Sequence, residues 1–329
     1  MTTPTRRAAR SRLALRLALV ALLVAPLPAA QDAAPIEVGA VHWSHDLDAA
    51  LAASAESGRP VFLLFQEVPG CDGVKAYGRD VLSHPLLVEA IEDAFVPVLA
   101  YNNRFTDADR ALLERFDEPT WNYQVVRYLD AQGRDILPRK DRVWSVADTA
   151  ARMIAVLRAA ERDVPKYLEV VATEHDTAHH ATAAFAMYCF WTGERELGQL
   201  DGVITTEAGW FEGKEVTRVT YDPRVLSLQT LSEKAAAVRC NSKVYAPSDD
   251  LELLTKFASG ELTGDYRKAK ASDQKRQLMQ WDAVRALPSL TPMQLTKVNA
   301  FAPDGEAAAL AWLSPRQRAA LAAAQDGEG

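Results

Sequence analysis

Cysteine is scarce in this chain, and neither a basic stripe nor a phosphate-binding loop is present. The 329 residues include only Cys71, Cys189 and Cys240, which are too few for a disulfide-rich scaffold. Because the number is odd, at least one thiol is free, intermolecular or catalytic. The formal net charge is −7 and the basic residues are scattered, so nucleic acid is not an expected partner. The composition, 48% hydrophobic and 25% charged, is that of a globular protein with about two domains.

The first residues differ from the rest of the chain. Arginines between positions 6 and 12 precede an apolar run over residues 13–27, and small residues follow. This order is typical of a secretory signal, and the run is shorter than the roughly 20 residues of a membrane-spanning helix. We therefore predict a signal peptide over residues 1–34, export to the periplasm or cell envelope, and no membrane span after cleavage. An uncleaved anchor is the alternative, since Pro28 occupies the minus-three position of a cut after Ala30.

Residues 40–163 show a regular succession of helical and strand patterns, in the order α-β-α-β-α-β-β-α. A continuous apolar run at 61–65 is typical of a buried parallel strand, and Ser145 is a candidate N-cap for the last helix. The predicted helices cover residues 43–56, 74–82, 85–94, 107–116 and 145–162, and the predicted strands cover residues 61–65, 96–100, 125–129 and 134–137.

Cys71 directly follows the first predicted strand, at the start of a helical stretch. The free N–H groups of a helix start favour a thiolate, which is the nucleophile of disulfide exchange. The order of elements and the string Val68-Pro69-Gly70-Cys71 resemble thioredoxin-like (seleno)proteins that carry Val-Pro-Gly before cysteine or selenocysteine. The resemblance implies a thioredoxin-like domain over 40–163 with Cys71 as a redox residue. Val74 replaces the second cysteine of Cys-x-x-Cys, so Cys71 would act as a single thiol; an inert thiol is the alternative.

Residues 164–180 are polar and rich in histidine. His175 and His179 would share a helix face, but no acidic or thiol partner stands at metal-ligand spacing. We therefore predict an exposed linker between two domains and no metal site.

Cys189 also lies where a strand pattern, residues 183–188, passes into a helical one. Phe190 and Trp191 follow at once, and Glu194 shares a helix face with Phe190 because the two are four positions apart. Taken singly, the aromatic residues would be ordinary core packing and the glutamate an ordinary surface residue.

The string Cys189-Phe190-Trp191 with Glu194 resembles the Gly-Cys-Phe-Trp-x-x-Glu core of the A-type peptide methionine sulfoxide reductases. The resemblance continues in order along the chain, which implies a reductase-like domain over residues 181–300. Further matches are residues 200–203 to Leu-x-Gly-Val, Thr206 and residues 209–213 to Thr-x-x-Gly-Tyr-x-Gly-Gly, and residues 221–223 to Tyr-Asp-Pro.

The resemblance implies a catalytic role for three of these residues. Cys189, as a thiolate, would attack the sulfoxide sulfur and become a sulfenic acid. Glu194, in an apolar site, would donate a proton to the departing oxygen. Cys240 would then condense with the sulfenic acid, while Phe190 and Trp191 would hold the substrate methyl group.

The chain departs from the family pattern at three aromatic positions. Tyr188 replaces the glycine before the family cysteine, and Trp210 replaces a tyrosine that helps to bind the sulfoxide oxygen. Tyr266, in the string Gly-Asp-Tyr-Arg, is a candidate remnant of the family's Gly-x-Gln-Tyr-Arg. We treat Trp210 and Tyr266 as candidate substrate-binding residues. The departures fit a changed substrate, a slow reductase or an inactive descendant.

The whole chain is thus predicted to be α/β (α+β), with a thioredoxin-like domain followed by a methionine sulfoxide reductase A-like domain and a helical C-terminal extension. Residues 268–287 are expected to be helical, and residues 301–329 to be a helical or disordered tail.

The expected function is an exported thiol-redox enzyme that reduces methionine sulfoxide in proteins or peptides, without a cofactor. Its partner would be a thiol reductant such as a thioredoxin-type protein. One alternative is a monothiol protein centred on Cys71 that handles disulfides or peroxides, with a degenerate reductase domain. Another is a non-catalytic module that binds methionine-rich or oxidised segments near Trp191 and Trp210.

Overall fold

The computed structural model describes residues 34–103, 106–121 and 124–326. The predicted signal sequence, up to residue 33, and the last three residues of the predicted tail therefore lie outside the described residues. In the part of the chain that is described, no helix is both long enough and apolar enough to cross a bilayer.

Helices and strands alternate through the described residues and build two separate sheets. A four-stranded sheet has the order β2-β1-β3-β4, and a six-stranded sheet has the order β10-β6-β7-β5-β8-β9. The strands are β1 Val61–Gln66, β2 Val96–Tyr101, β3 Gln124–Leu129, β4 Lys140–Asp141, β5 Ala181–Ala186, β6 Val203–Phe211, β7 Lys214–Tyr221, β8 Lys243–Ala246, β9 Ser259–Glu261 and β10 Arg267–Lys268. The helices are α1 Leu47–Ser57, α2 Asp72–Ala76, α3 Pro85–Ala94, α4 Asp107–Arg115, α5 Val146–Ala159, α6 Lys166–Glu174, α7 Phe190–Gly198, α8 Leu228–Ala237, α9 Asp282–Arg285, α10 Pro292–Phe301, α11 Glu306–Leu310 and α12 Pro315–Asp326.

Strand β1 is the centre of the first sheet and is buried along its whole length. It runs parallel to β2 and antiparallel to β3. Because side chains of a strand alternate between faces, Phe62 and Leu64 pack with residues of α3 and α5, whereas Leu63 and Phe65 pack with residues of α1 and α4. Helices therefore cover both faces of this sheet, as its apolar sequence predicts.

The predicted helices and the first three strands of the front half are confirmed, with a few local differences. The helix predicted to reach residue 82 is α2 followed by a π-helical turn, Tyr77–Val81. Helix α1 begins at Leu47, since Asp46 caps it by accepting from the backbone of Ala49. The strand predicted at 134–137 is wrong: a single bridge joins Leu129 to Asp135, and β4 pairs with β3 further along the chain. Pro138 has no backbone N–H with which to continue the ladder.

The linker predicted at 164–180 is wrong over much of its length, because residues 166–174 form helix α6. Its apolar residues recur at helical spacing and are buried, although charged residues interrupt them in the sequence. Tyr167, Leu168 and Val171 join the core of the first sheet, while Val170 packs with Ile204 of the second sheet. Residues from Ala34 onward form one compact unit, and the predicted domain boundaries stay predictions.

The second sheet carries the predicted change from strand to helix. Strand β5 ends at Ala186, two residues earlier than predicted, and α7 begins at Phe190. Helix α7 lies close against β7 because Gly193 has no side chain; a Cβ at this position would overlap Thr217 and Met187. Helix α8 follows β7 and begins after Ser227, whose side chain accepts from the backbone N–H of Thr230.

The chain between β10 and α10 is largely irregular, so the helix predicted at 268–287 is wrong except for the short α9. Two 3₁₀ turns, Ala271–Asp273 and Arg276–Leu278, flank Lys275, whose φ of 53° lies in the left-handed region and interrupts any helix. The helical extension is confirmed from Pro292 to Asp326.

The last helix packs against the front half of the molecule. At the start of α12, the backbone N–H of Arg316 donates to Glu89 and its guanidinium pairs with Glu92, both on α3. Leu321 is buried in a cluster with residues of α9 and α10. Up to Asp326 the predicted tail is therefore an ordered part of the fold.

Candidate active site

Cys189 is the N-cap of α7, as the sequence predicts, and its side chain is half-buried. The neighbouring Tyr188 is 97% exposed, so a ring that replaces the family glycine points to solvent rather than into the core. The backbone N–H of Phe190 donates to Glu215 Oε2 at 2.9 Å. A carboxylate of β7 thus satisfies one of the free N–H groups of the helix start, next to an accessible thiol.

Three predicted substrate-binding residues form one aromatic cluster beside this cysteine. Phe190 is buried and meets Trp191 and Trp210 edge to face, each with ring centroids 5.7 Å apart. Trp210 remains 37% exposed, while the indole N–H of Trp191 donates to the carbonyl of Asp273 at 2.9 Å. The arrangement offers aromatic surface to an apolar substrate group.

Glu194 is fully buried on α7, but its surroundings are not apolar, which corrects the sequence-based expectation. Lys275 Nζ donates to Glu194 Oε1 at 2.8 Å, and the backbone N–H of Lys275 donates to Oε2 at 2.8 Å. One residue therefore engages both carboxylate oxygens. A buried carboxylate requires such partners.

The segment 269–276 covers Glu194 and the aromatic cluster from one side. Ala269 packs with Phe190 and Trp191, and the guanidinium of Arg276 lies 4.8 Å from the centre of the Trp191 ring. Lys275 is the residue of this segment that sequence reasoning missed. Burial of Glu194 signals that a cation is needed, but no local motif points to a lysine 81 residues away.

Tyr266 lies in the same neighbourhood, with its hydroxyl already engaged. It donates to Glu207 Oε1 at 2.9 Å, and the Arg218 guanidinium lies 4.3 Å from the centre of its ring. Burial raises the pKa of Tyr266, and the hydrogen bond to Glu207 and the negative charge of that group add to this. Burial opposes ionisation of Glu207, but hydrogen bonds from Lys268 and Tyr266 hold its pKa below the ordinary value.

Cys240 is buried in the core of the second sheet, where its side chain is 1% exposed. Burial raises the pKa of Cys240 to about 11, and negative charge on Glu196 and Cys189 contributes in the same direction. The structure thus brings Cys240 within electrostatic reach of Cys189. It keeps this thiol protonated at neutral pH and away from solvent.

Cys71 belongs to the other sheet and is exposed at the start of α2. The loop before it is held by neighbouring side chains: Asn103 accepts from the backbone of Val68, and Glu37 accepts from the backbone of Gly70 at 3.0 Å. The Val68–Pro69 peptide bond is cis. The other candidate residues, around Cys189, belong to α7 and the six-stranded sheet, so Cys71 and Cys189 are carried by different sheets.

Comparison with known proteins finds two kinds of similarity in different parts of the chain. A family model described as thioredoxin-like matches residues 42–131. The peptide methionine sulfoxide reductase MsrA of Vibrio vulnificus (strain CMCP6) is 40% identical over 67 residues, covering 15% of this chain and 32% of that protein. MsrA of Methanococcus maripaludis (strain C7 / ATCC BAA-1331) is 33% identical over 73 residues, covering 17% and 46%. The matched region spans less than half of either reductase.

Two solved structures are also similar to parts of the chain. Mxr1 from Saccharomyces cerevisiae, in an unusual oxidized form, is 20% identical with a TM-score of 0.25, and covers 31% of this chain and 82% of that one. The DsbH oxidoreductase is 17% identical with a TM-score of 0.31, and covers 40% and 92%. The predicted α/β class, with a thioredoxin-like domain in the front half, is confirmed. At the level of broad class, the sequence matches support a thiol-redox protein.

Proposed function

We propose that this protein is an exported thiol-redox enzyme that reduces methionine sulfoxide in proteins or peptides through a sulfenic acid on Cys189. One observation carries the proposal: Cys189 is a half-buried thiol at the start of α7, directly followed by the cluster of Phe190, Trp191 and Trp210. The local similarity to two methionine sulfoxide reductases supports the same chemistry.

In the first step the sulfur of Cys189 attacks the sulfoxide sulfur, and the sulfoxide oxygen passes to the cysteine. The thioether is released and Cys189 becomes a sulfenic acid, so the substrate loses one oxygen and the cysteine gains it. Glu194 lies five residues further along α7 and protonates the oxygen as its bond to the substrate sulfur breaks. The proton that the Cys189 thiol loses restores the proton on Glu194, so the step as a whole neither consumes nor releases a proton.

In the second step Cys240 condenses with the sulfenic acid, which releases water and leaves a disulfide. A thiol reductant from outside the pair, such as a thioredoxin-type protein, then supplies two electrons to restore both thiols. Cys240 is buried in the core of the second sheet, so the disulfide would form with a thiol that solvent does not reach.

Export is part of the proposal and rests on the first 34 residues alone. We expect the mature protein to lack this segment and to fractionate with the periplasm or cell envelope. Intact mass measurement of the purified protein, together with cell fractionation, tests this; a full-length chain in the cytosolic fraction would contradict it.

The enzymatic proposal is tested with the mature chain, a methionine sulfoxide peptide and dithiothreitol. We expect Cys189→Ser to abolish release of the methionine peptide, since no other residue supplies the attacking sulfur. Cys71→Ser is the matched control and retains the activity, because that thiol belongs to the other sheet. Equal rates in wild type and Cys189→Ser would contradict the proposal.

A second candidate function is disulfide or peroxide handling by Cys71 as a single thiol. It is favoured by the exposure of Cys71 and by the thioredoxin-like match over residues 42–131. This function predicts that a mixed disulfide accumulates at Cys71 while Cys189 stays reduced. Peptide mass mapping after treatment with a disulfide or peroxide distinguishes the two candidates.

A further inference from the structure

Lys275 is a buried lysine whose ammonium group donates hydrogen bonds to residues of α7 and β6. Its Nζ donates to Glu194 Oε1 at 2.8 Å, to Thr206 Oγ1 at 3.3 Å, and to the carbonyl of Thr206. A lysine ammonium has three N–H donors, so these three acceptors use all of them. The exposed fraction of the side chain is 9%, and that of Glu194 is 0%.

The backbone at Lys275 and the contacts of its two sequence neighbours hold this side chain in place. Lys275 has a φ of 53°, in the left-handed region of backbone conformation, which residues other than glycine seldom adopt without compensating contacts. On one side, Gln274 exchanges two hydrogen bonds with the backbone of Ala208, at 3.1 and 2.8 Å. On the other side, the Arg276 guanidinium lies over the ring of Trp191. Both neighbours of Lys275 are therefore anchored to the site.

We propose that Lys275 is a positioning residue that fixes the carboxyl group of Glu194 for proton transfer during sulfoxide reduction. The inference rests on the proposed function and deepens it. Lys275 holds one oxygen through its ammonium and the other through its backbone N–H, so the carboxyl group keeps one orientation. Lys275 does not touch the reacting atoms and acts only through Glu194.

Removal of the ammonium therefore has one direct consequence: the carboxyl group of Glu194 loses the contact that fixes its orientation.

The test compares Lys275→Met and Lys275→Arg with Lys268→Met in the mature chain, using a methionine sulfoxide peptide. Lys268 is the matched control, since it lies in the same part of the chain but pairs with Glu207. We expect Lys275→Met to lower kcat by up to about 100-fold with little change in KM, because misplacement by about 1 Å has such an effect. Lys275→Arg should recover part of kcat, and Lys268→Met should behave as wild type.

Lys275→Met leaves a buried carboxylate without its cation and so destabilises the fold, which means that part of the loss of activity could come from unfolding. The double variant Glu194→Gln/Lys275→Met removes both charges and avoids this. If Lys275 acts through Glu194, the double variant has the same kcat as Glu194→Gln alone.

Two outcomes would overturn the inference while the proposed function stands: wild-type kcat and KM in Lys275→Met, or a further loss of kcat when Lys275→Met is added to Glu194→Gln. A wild-type protein without Cys189-dependent turnover would instead defeat the proposed function, and the inference would fall with it.

Discussion

Cys71 and Cys189 each stand at the start of a helix, but the residues around the two thiols differ. Each follows a strand and caps a helix without accepting a hydrogen bond through its own side chain. Cys71 is exposed in a loop held by Asn103 and Glu37. Cys189 is half-buried next to an aromatic cluster and on the helix that carries the buried Glu194.

The difference teaches that a position at the start of a helix does not by itself supply substrate specificity. At Cys189 a carboxylate of β7, that of Glu215, already accepts from the backbone N–H of Phe190. The surroundings of Cys189 add aromatic surface and a carboxyl group held in place, and negative charge on Cys189 contributes to the raised pKa of Cys240. A general thiol reaction is therefore expected at Cys71, and a substrate-specific one at Cys189.

The largest expected effect separates the two steps of the Cys189 reaction. Cys240→Ser should still release one methionine peptide per protein molecule, because Cys189 performs the first step alone. Further turnover with a thioredoxin-type reductant should fall by about two orders of magnitude. Without Cys240 no intramolecular disulfide forms, so the sulfenic acid must react with a thiol of another molecule, which is slower than the intramolecular reaction. Quenched-flow assay of product per enzyme measures both quantities. Full turnover in this variant would show that Cys240 is not the resolving thiol.

A medium effect is expected in the rate of alkylation of the three thiols. At neutral pH we expect iodoacetamide to label Cys71 fastest, Cys189 more slowly, and Cys240 slowest by roughly tenfold or more, because Cys240 is buried and its pKa is raised to about 11. Peptide mass spectrometry at timed intervals measures the order. Rapid labelling of Cys240 in the native protein would contradict its burial.

The smallest effect concerns the stability of the front half in acid. Burial and the neighbouring charge of His175 lower the pKa of His84 from 6.5 to about 4. The folded state thus holds this proton less tightly than the unfolded state, so the contribution to stability is present above about pH 6.5 and is lost as the pH falls toward 4.

We therefore expect Tm to fall between pH 7 and pH 4.5, and His84→Gln to reduce that fall by a few degrees. His179→Gln is the control, since His179 is half-exposed and pairs with Asp176. Thermal unfolding followed by circular dichroism at the two pH values measures the difference. An identical pH dependence in His84→Gln and wild type would rule out this contribution.

Local features of the fold could be predicted from the sequence because local chemistry determines them. The strand at Val61 is a continuous apolar run, and Ser145 caps α5 through its side chain as predicted. The position of Cys189 at the start of α7 follows equally from a strand pattern that gives way to helical spacing. Such signals need no knowledge of distant residues.

Features that depend on distant residues could not be predicted. Helix α6 could not be predicted because charged residues interrupt its apolar positions in the sequence. Those positions become buried only through contacts with two separate hydrophobic clusters. Lys275 was missed because its partner Glu194 is 81 residues away and its left-handed backbone breaks a pattern that looked helical. Pairing of a buried charge is decided by tertiary contacts rather than by spacing.

The most direct test of the central claim is to trap the product of the first step. The mature protein is mixed with a methionine sulfoxide peptide in the presence of dimedone, a reagent that reacts with sulfenic acids, and its peptides are mapped by mass spectrometry. We expect the adduct on Cys189, in an amount equal to the methionine peptide released, and none on Cys71. Release of methionine peptide without an adduct on Cys189, or an adduct confined to Cys71, would contradict the account.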